Sequence, residues 1–76
     1  MERIYRILEK LRPEIDFRNT HNYVSNMYLS SLYIVELITE LENEFNISID
    51  IMDVVPERFE TVEGIADLVK KNGGEW

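Results

Sequence analysis

Ile4, Ile7, Leu8 and Leu11 recur at spacings of three and four with charged residues between them, which predicts an amphipathic helix over about residues 2–12. Pro13 disfavours helical geometry in the residue before it and sets the stop. From Pro13 to Ser30 no period is sustained and Asn, Asp, Ser and Thr abound, so a long ordered loop is predicted. Loops of that length in so small a chain are usually functional or well packed, and Ile15, Phe17, Tyr23, Val24 and Leu29 are the side chains that could pin this one.

The strongest periodicity follows. Leu32, Val35, Leu37, Ile38, Leu41 and Phe45 keep helical spacing from Ser31 to about Asn46, with Glu36, Glu40 and Glu44 in one i, i+4 row. Ser30 or Ser31 is expected to cap this helix with its hydroxyl. Ile47, Ile49 and Ile51 alternate with Ser48 and Asp50, but with no second strand to pair with they read as an extended linker. A short helix is expected from Asp53 or Pro56 through Phe59. Thr61 should cap a last helix carrying Val62, Ile65, Ala66, Leu68 and Val69, ended by Asn72-Gly73-Gly74, with residues 72–76 a frayed tail. The sum is an all-α fold, a small four-helix bundle of three main helices and one short one with a long first loop, in a single domain over 1–76.

Composition changes that picture in one respect. The chain carries 15 acids against 8 bases, a net charge of -7, and no cysteine. Residues 1–18 hold Arg3, Arg6, Lys10, Arg12 and Arg18 against four acids, whereas 19–68 hold ten acids against Arg58 alone. The surplus is therefore positional and lies beyond residue 18. It argues against a phosphate-backbone ligand, which needs clustered Lys and Arg, and disfavours an anionic membrane surface. No apolar run reaches the roughly 20 residues of a membrane span and the amino terminus lacks a signal-peptide core, so a cytoplasmic protein is expected.

Catalytic parts are missing. Without cysteine there is no thiolate nucleophile, disulfide or Cys/His zinc site, and His21 stands alone in the polar loop. The paired carboxylates fall on a solvated helix face, which suits neither general acid work nor calcium in EF-hand spacing. Tyr23, Tyr28 and Tyr33 have no bases among them and form no stacking platform for nucleobases. The reading is a non-enzyme that other proteins handle. Ser30-Ser31-Leu32, at the junction of loop and acidic helix, is the one place where a hydroxyl meets free helix amides that favour an attached phosphate.

The stretch LSSLYIVELITELENEFNISID (29–50) resembles the acyl carrier protein family: its attachment serine, the Leu after it, a Val-Glu-Leu core and a Leu-Glu-x-x-Phe helix end. ERFETVEGIADLV (57–69) is similar to the family's closing segment, where a Thr-Val step opens the last helix. The resemblance implies a carrier of acyl thioesters on 4′-phosphopantetheine, joined covalently to Ser31, serving fatty acid, lipid or polyketide-type biosynthesis. It also implies a phosphopantetheinyl transferase and acyl-loading and acyl-using enzymes with basic docking patches as partners of a monomeric carrier. Leu32, Val35, Glu36 and Thr39 are the expected partner contacts, extended by Glu40 and Glu42, and binding through such a face should weaken with salt. Ile38, Leu41, Ile49, Ile65 and Leu68 would line the interior open to an acyl chain. One departure is that Ser30 stands where the family usually has Asp before the modified serine; it can cap but brings no charge. An aminoacyl, peptidyl or D-alanyl carrier shares the fold and the serine, and a degenerate unmodified carrier fold serving as an acidic interaction module is the further alternative.

Overall fold

The computed structural model describes residues 1–75, and Trp76 lies outside the described part. Three α-helices, α1 (Glu2–Leu11), α2 (Ser31–Phe45) and α3 (Val62–Lys71), enclose one core, and three short 3-10 turns shape their connections. No strand forms among the described residues. The all-α bundle is as predicted, with the short fourth helix present as the 3-10 turn Pro56–Phe59, opened by its proline.

α1 buries Ile4, Ile7 and Leu8, the periodic positions, and stops one residue short of the expected end, where the Arg12 amide donates to the Leu8 carbonyl just before Pro13. α2 buries Leu37, Leu41 and Phe45, and Asn46 ends it in the left-handed region at φ 53°. α3 contributes Val62, Ile65, Ala66, Leu68 and Val69. Thr61 caps it as the sequence led one to expect, its hydroxyl oxygen accepting from the Gly64 amide at 3.0 Å.

The long first loop is a packed element. Phe17, Tyr23 and Leu29 are fully buried, with Ile15 and Val24 half-buried against them. The Phe17 and Tyr23 rings meet edge to face at 5.0 Å, and the Tyr23 hydroxyl donates to the Phe17 carbonyl at 2.8 Å. A 3-10 turn at Phe17–Asn19, which no periodicity announces, delivers Phe17 to the core. Glu60 then fastens the loop to the entrance of α3. Its carboxylate accepts from the Val24 and Ser25 amides and the Ser25 hydroxyl, and its carbonyl accepts from the Tyr23 amide.

Two further differences from expectation have local causes. Ile51 does not continue the extended linker. It opens a 3-10 turn, Ile51–Asp53, because the Asp50 carboxylate accepts from the Met52 amide at 2.9 Å. At the carboxy end, where fraying was expected over 72–76, the described residues are tied in. The Gly74 amide donates to the Val69 carbonyl at 2.9 Å, Gly74 is buried, and Arg3 Nη1 reaches the Glu75 carbonyl at 3.2 Å. Gly73, at φ +93°, makes the turn that permits this.

Candidate functional site

Ser31 is the first residue of α2 and is exposed. It sits on the rim of an apolar cleft of about 250 Å³ whose other walls are Ile34 and Val35 of α2, Val54 and Val55 of the connection, and Pro56 and Phe59 of the last 3-10 turn. Ser30 occupies the cap position with extended backbone (φ -74°, ψ 172°), but its hydroxyl makes no capping bond. The expectation that a serine hydroxyl would close the helix start is thus corrected. Only the Ser30 carbonyl engages, accepting from the Ile34 amide at 2.9 Å. The leading amides of α2 consequently keep no side-chain acceptor among the described residues, and the positive end of the helix dipole is left open beside the Ser31 hydroxyl.

The residues expected to meet partners divide into two sets. Leu32 and Val35 are 67% and 62% exposed, and Glu36 and Thr39 are also exposed, with the Thr39 hydroxyl donating back to the Val35 carbonyl at 3.3 Å. These four share the outer side of the first turns of α2. Glu40 and Glu42 are half-buried and engaged within the chain. Glu40 pairs with Lys10 of α1 at 3.2 Å, and Glu42 accepts from the Ile49 amide at 2.8 Å. Glu44, the third of the i, i+4 row, pairs with Arg3 at 2.7 Å. The bases of α1 thus neutralise the distal end of the acidic row, a pairing across about 30 to 40 residues that helical spacing cannot reveal. Arg12 likewise lies over the Tyr33 ring at 4.9 Å, although no base neighbours that tyrosine in sequence.

Of the interior positions expected to line a cargo space, Leu41, Ile65 and Leu68 are fully buried and Ile38 and Ile49 half-buried. An open apolar space adjoins Ser31 directly, through Val54, Val55, Pro56 and Phe59, whose place beside Ser31 sequence reasoning passed over. The signal was the run Val-Val-Pro after Asp53, apolar residues outside any helical period.

Electrostatic perturbation lies away from Ser31. The Arg18 guanidinium donates to Glu2 and holds its carboxyl down to about 2, while Glu2 and Glu9 together push Arg18 upward. Glu60 is held below the usual carboxylate range by the Ser25 hydroxyl and amide and by the Val24 amide. Burial lifts the Tyr23 phenol to about 12. His21 is exposed. Among the described residues no group of three or more His, Asp or Glu is placed to hold a metal ion. No described helix is long and apolar enough to cross a membrane.

The start of α2 thus presents an exposed hydroxyl on the first turn of a helix, beside an apolar cleft. The phosphopantetheine attachment site family matches residues 3–69, and the chain belongs to that family. Its covalent group is 4′-phosphopantetheine, and its members work with a phosphopantetheinyl transferase and partner enzymes. No solved structure matches the chain. The residues around the helix start fit such a group: an exposed hydroxyl to carry the phosphodiester, open amides to face it, and apolar walls beside it.

Proposed function

We propose that the chain is an acyl carrier protein with Ser31 as its attachment residue. It would bring acyl intermediates to enzymes of fatty acid, lipid or polyketide-type biosynthesis, as a single cytoplasmic, monomeric unit that performs no chemistry itself. The observation that carries this reading is the exposed Ser31 hydroxyl at the start of α2 on the rim of the apolar cleft. When bound, the arm supplies a terminal thiol, a group that this cysteine-free chain lacks, and holds cargo there as a thioester.

The chain's own residues have three tasks. The Ser31 hydroxyl anchors the arm, and the open amides of the first turn of α2 face its phosphate. Val54, Val55, Ile34 and Phe59 offer apolar cover to the first carbons of a cargo next to the attachment point. Leu32, Val35, Glu36 and Thr39 meet the partner enzyme, with Glu40 and Glu42 behind them, available only by giving up Lys10 and the Ile49 amide.

The test is intact mass after incubation with a phosphopantetheinyl transferase, magnesium and coenzyme A. In that transfer Ser31 Oγ forms the new bond to phosphorus, the pyrophosphate P–O bond breaks, 3′,5′-ADP leaves, and the hydroxyl proton passes to a base of the transferase. One phosphopantetheine should be added to the wild type and none to Ser31→Ala. An unmodified wild type, or addition that survives Ser31→Ala, would sink the assignment. The uncharged Ser30 before the attachment residue favours, as the second reading, an unmodified carrier fold used as an interaction module, and the same measurement separates the two. Thioester mass from the native host would distinguish fatty from aminoacyl, peptidyl or D-alanyl cargo.

A further inference from the structure

Ile51 and Met52 are 82% and 81% exposed, more than any other large apolar side chains in the described chain. They do not dangle from a slack loop. The Asp50 carboxylate accepts from the Met52 amide at 2.9 Å, and the Asp50 amide donates to Asn72 Oδ1 at 3.2 Å. The Asp53 side chain, only 12% exposed, is ion-paired with Lys71 of α3. The Asp53 and Val54 amides close the turn on the Asp50 and Ile51 carbonyls at 2.9 and 3.1 Å. The usual polarity is inverted here: Asp53 is largely covered as an anchor while the two apolar side chains project into water, which forgoes the free energy their burial would supply.

The position of this knob relates it to Ser31. Met52 is two residues from Val54, which lines the Ser31 cleft, so the backbone between them spans no more than about 7 Å. Val35 and Val55, which both line that cleft, are themselves exposed, and Leu32 is next to Ser31. Any enzyme acting at Ser31 must therefore cover apolar surface. Meanwhile Glu40, Glu42 and Glu44 are engaged within the chain, and of the nearby acids Glu36 and Glu57 are exposed with no ion pair among the described residues.

We propose that Ile51 and Met52 form a preset apolar knob that enters an apolar socket, rimmed by only one or two bases, on the enzymes that act at Ser31. Docking then rests on the knob with Leu32 and Val35 more than on the acids of α2. This deepens the carrier reading and rests on it. It changes what is expected of salt: removing apolar surface from water is insensitive to moderate ionic strength, whereas a face of clustered acids is screened.

The test uses the full chain with a phosphopantetheinyl transferase and coenzyme A, comparing wild type with Ile51→Ser/Met52→Ser. The serines leave Asp50, Asp53, Lys71 and Asn72 in place, and an unchanged thermal midpoint verifies the fold. The double variant should be loaded at Ser31 with its KM raised about tenfold or more and kcat retained, since two apolar anchors are lost from the contact. Between about 50 and 500 mM NaCl the wild-type KM should move by less than about threefold. A wild type loaded normally and a double variant with wild-type KM would overturn the knob while leaving the carrier standing, as would a KM that climbs steeply with salt in both. A wild type that is not loaded at all overturns the carrier reading instead. Sedimentation decides the other occupant: a wild-type dimer at assay concentration that becomes monomeric in the double variant would assign the knob to a second copy of the chain and refute the proposal.

Discussion

Replacing Gly64 by alanine sets two effects against each other, and the structure says which wins. Gly64 lies in the first turn of α3, where alanine gains about 1 kcal/mol of helix propensity over glycine. A Cβ built there, however, falls 2.6 Å from the Arg58 carbonyl oxygen and 3.1 Å from its carbon, well inside ordinary contact. The obstacle is backbone, part of the turn Pro56–Phe59, so no side chain can swing aside. Overpacking of this kind costs about 1–3 kcal/mol, and with an unyielding partner the upper half of that range applies. The net is a loss of about 1–2 kcal/mol, which in a domain of this size lowers the thermal midpoint by about 4–8 °C per kcal/mol. Thermal or urea unfolding followed by circular dichroism reads it directly. Because Pro56 and Phe59 line the Ser31 cleft, amide resonances of Ser31, Val54 and Val55 should shift as well. Gly73→Ala is the companion: nothing stands within 4 Å of a Cβ there, so its cost should come from the left-handed backbone alone and leave those resonances still. A Gly64→Ala protein more stable than wild type would refute the close approach of the turn to α3.

Other consequences follow from the loop and the caps. Tyr23→Phe strands the buried Phe17 carbonyl without its 2.8 Å donor and should cost about 1–2 kcal/mol in urea unfolding, while leaving the apolar packing intact. The Tyr23 phenol, at about 12 in the fold against an ordinary value near 10, keeps its proton when the unfolded chain has lost it. Stability is therefore full below about pH 10 and declines as pH rises from there toward 12, a decline that Tyr23→Phe should blunt. Glu60 has the opposite sign: its folded carboxyl ionises below its unfolded value, so its contribution is present above the usual carboxylate range and disappears as pH falls through the depressed one. Glu60→Gln should flatten that part of the acid limb of the thermal midpoint profile and speed amide exchange at Val24 and Ser25; unchanged exchange there would count against the clasp. Thr61→Ala should cost about 1 kcal/mol through the lost cap on Gly64.

What could be read in advance divides along a physical line. Ile4, Ile7 and Leu8 of α1, Leu37, Leu41 and Phe45 of α2 and the apolar face of α3 were legible because helical period is a local property, carried by neighbours three and four apart. The Thr61 cap was legible for the same reason. The turns at Phe17–Asn19 and Ile51–Asp53 were not, since one exists to seat an aromatic in a core assembled by other segments and the other hangs on a single Asp50 side-chain bond and an anchor on α3. The Ser30 hydroxyl shows the limit of residue type as a signal: a favoured capping residue at the capping position makes no cap.

The site follows the same division. Sequence by itself determined the helical class, the location of Ser31 at the start of α2, and the acidic surplus beyond residue 18, because each depends on identity and order along the chain. Only the tertiary structure decided which of those acids remain free. Lys10 and Arg3 reach Glu40 and Glu44 because α1 packs along α2, and no local rule brings residues 30 and 41 apart together. It also decided that Val54, Val55 and Phe59 close a cleft on Ser31 and that Ile51 and Met52 stand outward on polar anchors. Whether an apolar residue ends in core, cleft or water is set by what other elements leave uncovered, and that is known only once they have packed.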